Sequence, residues 1–108
     1  RYIQEAHSIY TVVETEVAKY KATDDPSEND VDNYIKNILS GNTIATADNN
    51  QLKGIIAKKT ELDDVDVERN GNTYKMYWIS DDDHRIEATL TKNKDVKIVS
   101  TDSNHNFD

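Results

Sequence analysis

The apolar positions of the first 22 residues follow a helical period. Ile3, Ala6, Tyr10, Val13, Val17 and Tyr20 recur at gaps of three and four, which sets them on one stripe of a helix. Arg1, Glu5, Glu16 and Lys19 fall to the other side, and neither Gly nor Pro interrupts the run. The β-branched stretch Thr11-Val12-Val13 lowers helix propensity only slightly. A helix of that length extends about 33 Å, the width of a small domain, so it either lines the whole body or projects from it. A second helix is predicted over 27–40, with Val31, Ile35, Ile38 and Leu39 as its apolar stripe. Asp25 followed by Pro26, or Ser27 instead, supplies the cap, and Gly41 stands where a left-handed terminating residue belongs. Asp48 is a candidate cap for a third short helix carrying Leu52, Ile55 and Ile56, weakened by Gly54.

From Val65 the period changes to two. Val65 and Val67 alternate with Asp66 and Glu68, and Asn70-Gly71 is a strong hairpin signal. A two-residue loop at Asn70-Gly71 sets Val67 opposite Tyr74 and Val65 opposite Met76. Tyr74, Met76 and Trp78 then share the core face, with Tyr77 and Ile79 on the other. Asp81-Asp82-Asp83 ends that strand. Arg85–Thr91 reads as a third strand with Ile86, Ala88 and Leu90 inward, Lys92-Asn93-Lys94-Asp95 as a turn, and Val96–Ser100 as a fourth strand. The polar tail 101–108 is expected to fray apart from Phe107. Helices followed by strands give an α+β fold: a long N-terminal helix (1–22), a connecting region (23–64), a four-stranded antiparallel meander (65–100) and a tail, all in one domain over 1–108.

Charge narrows the function classes. With 13 Lys+Arg against 21 Asp+Glu the net charge is −8, which repels nucleic acid and anionic bilayers. The connecting region alone holds four lysines against nine acids. No Cys is present, which removes disulfides, thiol catalysis and zinc–thiolate sites. The longest apolar run, Met76-Tyr77-Trp78-Ile79, is far below the roughly 18 residues that cross a bilayer. The chain opens at Arg1 rather than Met, as expected of a processed or trimmed piece.

Catalytic signatures are sparse. The three imidazoles lie apart in sequence: His7 on a helix flank, His84 in an acidic loop, His105 in the tail. No G-x-S-x-G, S-x-x-K or glycine-rich phosphate loop occurs, so no enzyme activity and no cofactor are expected. Asp81, Asp82 and Asp83 are the best candidate for a metal, because Ca²⁺ takes about 6–8 oxygens and three adjacent carboxylates begin such a shell. Asp64, Asp66 and Glu68 share the 1-3-5 spacing of a calcium loop, but Arg69 stands where that loop needs Gly, and strand alternation explains the acids. Tyr2, Ile9 and Val12 form a second helix face beside Glu5 and Glu16, the pattern of a surface that meets another chain.

A long N-terminal helix from Arg1-Tyr2-Ile3-Gln4-Glu5-Ala6 through Tyr20-Lys21, a variable connector and an antiparallel meander together resemble the soluble headgroup of a type IV pilin. The Lys/Asn/Asp/Ile-rich, Cys-free composition is similar to that of clostridial (Gram-positive) major pilins. The resemblance implies an apolar segment ahead of Arg1, with a Glu at its fifth position and a methylated N-terminus. That segment anchors the subunit in the membrane before assembly and bundles in the filament core afterwards. It further implies copies of the same pilin and an assembly machine as partners, an extracellular surface filament as location, and adhesion, motility or biofilm formation as role. Tyr2, Ile3, Ala6, Ile9 and Val12 are the expected subunit-packing residues, and the headgroup alone is expected to be monomeric. This chain lacks the C-terminal Cys pair of many Gram-negative relatives, so its segment 92–108 must be held by strand pairing or left loose. A pseudopilin of a secretion or DNA-uptake system, and a secreted cystatin-like binding domain, are the alternative readings.

Overall fold

A computed structural model describes residues 1–41, 54–91 and 93–107. It is α+β: one helix of 23 residues packed on a four-stranded antiparallel sheet, with short helices between them. Helix α1 is Tyr2–Asp24, α2 is Glu28–Tyr34 followed by a π-helical turn Ile35–Leu39, and α3 is Ile55–Thr60. The strands are β1 (Asp63–Asn70), β2 (Thr73–Ile79), β3 (Arg85–Leu90) and β4 (Val96–Ser100), laid in sequence order as a meander. At about 35 Å, α1 packs on the core along its length, from Tyr2 and Ala6 to Val17 and Tyr20, so it lines the body rather than projecting from it. Asp48 and Leu52 of the third predicted helix, together with Lys92 and Asp108, lie outside the described residues.

The core forms where the inward sheet face meets α1 and the short helices. Val65, Val67, Tyr74, Met76, Trp78, Ile86, Ala88 and Leu90 turn toward Ala6, Ile9, Val13 and Val17 of α1 and toward Val31, Ile35, Leu39 and Ile56. The helical phase differs from the predicted one. Ile9 is fully buried, whereas Ile3 is 51% exposed. The inward stripe therefore runs through Ala6, Ile9, Val13 and Glu16-Val17, and Ile3 falls just outside its edge.

Local chemistry settles the helix ends. Asp25 terminates α1 in the left-handed region at φ 49°. Ser27 caps α2 in a reciprocal box: its Oγ accepts from the Asp30 N–H, and Asp30 Oδ2 accepts from the Ser27 N–H. The predicted second helix widens at 35–39, where the Ser40 N–H donates five residues back to the Ile35 carbonyl, and this turn leaves Ile38 at the surface. Gly41 is not a left-handed cap. Its N–H donates to the Val65 carbonyl, while Ser40 Oγ accepts from the Val67 N–H at 2.9 Å. The single Ser40 hydroxyl proton has the carbonyls of Ile35 and Val67 in reach at 2.9 and 3.1 Å. Ser40 and Gly41 thus cover the outer edge of β1, which would otherwise present an open ladder.

The hairpin turns one residue later than expected. Asn70 pairs with Thr73 and Val67 with Met76, so the loop is Gly71-Asn72. Positive φ falls at Gly71 (+62°) and not at Asn72, the pattern of a loop with Gly first rather than second. The register moves by two residues, which leaves every side chain on its predicted face. A bulge between Asp63 and Asp66, with Asp64 at φ 50°, ends the regular pairing of β1.

The tail does not fray. The Ser103 N–H donates to the Arg85 carbonyl at 2.9 Å, and the Arg85 side chain donates to the carbonyls of Ser103 (3.2 Å) and His105 (2.9 Å). His105 stacks on Tyr77 with centroids 3.8 Å apart and planes 8° from parallel, and its Nε2 lies 2.8 Å from Asp66 Oδ2. Phe107 meets the His105 ring edge-on and lies under the Arg85 guanidinium. Residues 101–107 therefore form a strap across the outer sheet face from β4 to β1.

Candidate functional site

Helix α1 carries the residues on which a functional reading turns. Its inward side is apolar with acids on it and at its rim, and Glu5, Glu14 and Glu16 each have a partner distant in sequence. Glu5 accepts from Trp78 Nε1 (2.8 Å) and Ser80 Oγ (2.9 Å), which ties α1 to the end of β2. Glu14 accepts from the Tyr74 hydroxyl at 2.7 Å. That bond and burial, burial first, hold the Tyr74 phenol well above its usual range. Glu16, its side chain only 6% exposed, receives Lys59 Nζ at 2.6 Å and Lys19 Nζ at 3.4 Å. Burial alone would raise the Glu16 carboxyl, but the two ammonium groups outweigh it and hold it below the ordinary value. Glu5 and Glu16 therefore bind α1 to β2 and α3, and do not form part of an outward mixed face.

The predicted packing residues separate accordingly. Ala6 and Ile9 are fully buried within the domain; Tyr2 and Val12 are half-buried against the core; Ile3 alone is exposed. The Tyr2 hydroxyl donates to Asp82 Oδ2 at 2.6 Å, a bond that raises the phenol and lowers the carboxyl.

The loop 81–84 also finds partners inside the chain. Arg1 Nη1 lies 3.0 Å from Asp81 Oδ1 and 3.5 Å from Asp82 Oδ2. Asp83 takes a left-handed turn conformation at φ 68°, and its N–H donates to the Ser80 carbonyl. Asp81 and Asp82 thus fasten the loop to the start of α1. Among the described residues no three His, Asp or Glu side chains are grouped as a metal site would need.

The outward side of α1 holds what the sequence reading missed. Gln4, Ser8, Thr11, Thr15, Ala18 and Ala22 are all exposed, recur at gaps of four and three, and carry no charge. In a chain that is 31% charged, the solvent side of a helix is where Lys and Glu should concentrate. The hydroxyls of this stripe turn back on the helix: Ser8 Oγ donates to the Gln4 carbonyl, Thr11 Oγ1 to His7, and Thr15 Oγ1 to Thr11. Bonded so, these hydroxyls are satisfied within the helix itself. Beside the stripe, α1 and the end of α3 enclose two shallow hollows of about 570 and 410 Å³, which share Ser8 and Thr60. The signal was available in the sequence as a 4-3-4-3-4 run of uncharged residues, small from Ser8 onward, but larger apolar side chains on the other side dominated the period.

Among the described residues no helix is long and apolar enough to cross a membrane. Comparison with known proteins gives no match to this chain, whether among family models, curated proteins or solved structures.

Proposed function

We propose that this chain is the headgroup of a type IV pilin-like subunit, a structural protein that polymerises into a surface filament through its N-terminal helix. The observation that carries this reading is the uncharged 4-3-4-3-4 stripe on the exposed side of α1. Small residues at that spacing let a neighbouring helix approach closely, and self-satisfied hydroxyls lose little when water leaves. The overall architecture, one body-length helix on an antiparallel meander, agrees with it. In this role the subunit has no catalytic residues. An apolar helical segment ahead of Arg1 anchors it before assembly and bundles with its copies afterwards, while the connector and the sheet edge sit between subunits and face outward. The filament serves adhesion, surface motility or biofilm formation.

The test is the intact mass and N-terminal sequence of the native protein from the surface fraction of its host. The expected result is an apolar segment ahead of Arg1 with an acidic fifth residue and a methylated N-terminus. A mature chain that starts near Arg1 after an ordinary signal peptide would overturn the reading and favour a secreted binding domain.

A further inference from the structure

The hairpin tip holds the chain's one Asn-Gly pair, Asn70-Gly71. Asn70 closes β1 opposite Thr73, and Asn70, Gly71 and Asn72 are all exposed. Gly71 sits at φ +62°, and a Cβ built on it would meet nothing within 4 Å, so the space around this residue is open. Every other asparagine is followed by a residue with a side chain, which crowds the peptide nitrogen after it.

We propose that Asn70 is a site of spontaneous covalent modification, a one-way timer whose rate is set by fraying of the hairpin tip. The Gly71 peptide nitrogen attacks the Asn70 side-chain carbonyl carbon. The new C–N bond closes a five-membered succinimide, the bond from that carbon to Nδ2 breaks, and ammonia leaves with the proton from the Gly71 nitrogen. Water then adds to either ring carbonyl and opens the ring, giving aspartate at one carbonyl and isoaspartate at the other. No oxidant or reductant takes part, and water is the only co-reactant. The attack requires Asn70 to leave its extended, paired geometry, which the last pair of a hairpin does by local opening.

Either product adds one acid and takes the net charge from −8 to −9. Isoaspartate also routes the backbone through Cβ, which adds a main-chain atom to β1 at its last pair, Asn70–Thr73. The residue before it, Arg69, holds α2 through Asp32 Oδ1 and Glu28 Oε2, both at 2.6 Å. Isomerisation at Asn70 therefore reaches the clamp between β1 and α2 as well as the tip.

The experiment incubates the folded chain at physiological temperature and mildly alkaline pH, with a parallel sample unfolded in urea. Both are digested under acid conditions, and the peptides spanning Asn70 are followed by mass spectrometry. The expected result is the mass gain of an amide-to-acid exchange at Asn70 alone, split between two separable isomers, slower in the folded sample and abolished in Asn70→Gln. Asn70→Asp, which carries the charge from the start, should keep the fold and show no mass gain at this position. An unmodified Asn70 in the folded chain after the unfolded chain has converted would overturn the proposal. So would earlier conversion at another asparagine.

Discussion

The two sides of α1 use opposite means to the same length of helix. The inner side is heterogeneous: Ala6, Ile9, Val13 and Val17 alternate with Glu5 and Glu16, and each acid meets a donor from another element. The outer stripe from Gln4 to Ala22 is uniform and holds no charge of its own, while the exposed Glu14, Lys19 and Lys21 lie outside it. A heterogeneous surface specifies one neighbour in one register, because a buried carboxylate displaced from its donor is costly. A uniform surface of small residues specifies closeness of approach instead. The inner side thus fits an intramolecular role fixed once at folding, and the outer side fits repeated contact with identical copies.

The largest test of this contrast lies opposite Glu5. Trp78 is fully buried and donates to Glu5, so Trp78→Ala should destabilise by about 3–5 kcal/mol in urea unfolding. A loss below about 1 kcal/mol would mean that the inner side is not anchored there. The two isoleucines at either side of the stripe boundary allow a matched comparison. Ile9→Ala should cost about 2–5 kcal/mol and Ile3→Ala less than about 0.5 by the same measurement. Equal losses would erase the distinction between the two sides.

Smaller effects follow for the acids. Glu16→Gln removes the charge that meets Lys59 and Lys19 and should cost about 1.5–3 kcal/mol near neutral pH. Because the folded carboxyl lies below its ordinary value of 4.5, its stabilisation is complete above that pH and is lost as pH falls through the lowered value. Stability of Glu16→Gln should therefore decline less on acidification than that of the parent, as pH-dependent thermal melts would read. An equally steep acid limb in both chains would contradict the assigned direction. Smallest of all, Thr15→Lys on the outer side should change stability by no more than about 0.5 kcal/mol in the isolated headgroup. Under the proposed assembly, the same change in the native protein should abolish filaments visible by electron microscopy.

Much of the fold was legible because it depends on local period. The long helix, the two-residue alternation of the strands and a cap at Asp25 or Ser27, of which Ser27 is the one used, all follow from neighbouring residues. The misplaced details depend on contacts distant in sequence. Glu16 reads as solvent-facing until Lys59, 43 residues later, comes to meet it. The hairpin register shifted because Gly71 serves as the first loop residue, and a shift of two leaves the face pattern, the only guide in the sequence, unaltered. The tail reads as polar and loose, yet Arg85 and Tyr77 on the sheet hold it through His105 and Phe107. For the candidate site, the second helix face and the pilin resemblance pointed to Tyr2, Ile3, Ala6, Ile9 and Val12, and the fold draws Ala6 and Ile9 into its own core. The outer stripe emerges only once the inward side is known, because absence of charge is a signal only at an exposed position.

The most direct measurement uses the chain's lack of cysteine. Ala18→Cys on the outer side of α1 and, as a reference, Val99→Cys on the exposed side of β4 each give a single thiol for maleimide labelling. Both should label readily in the isolated headgroup. In assembled filaments on the host surface, Ala18→Cys should be protected while Val99→Cys still reacts. Full labelling at position 18 in the filament, or no filament to label while the subunit is abundant at the surface, would contradict the assembly role assigned to the outer side of α1.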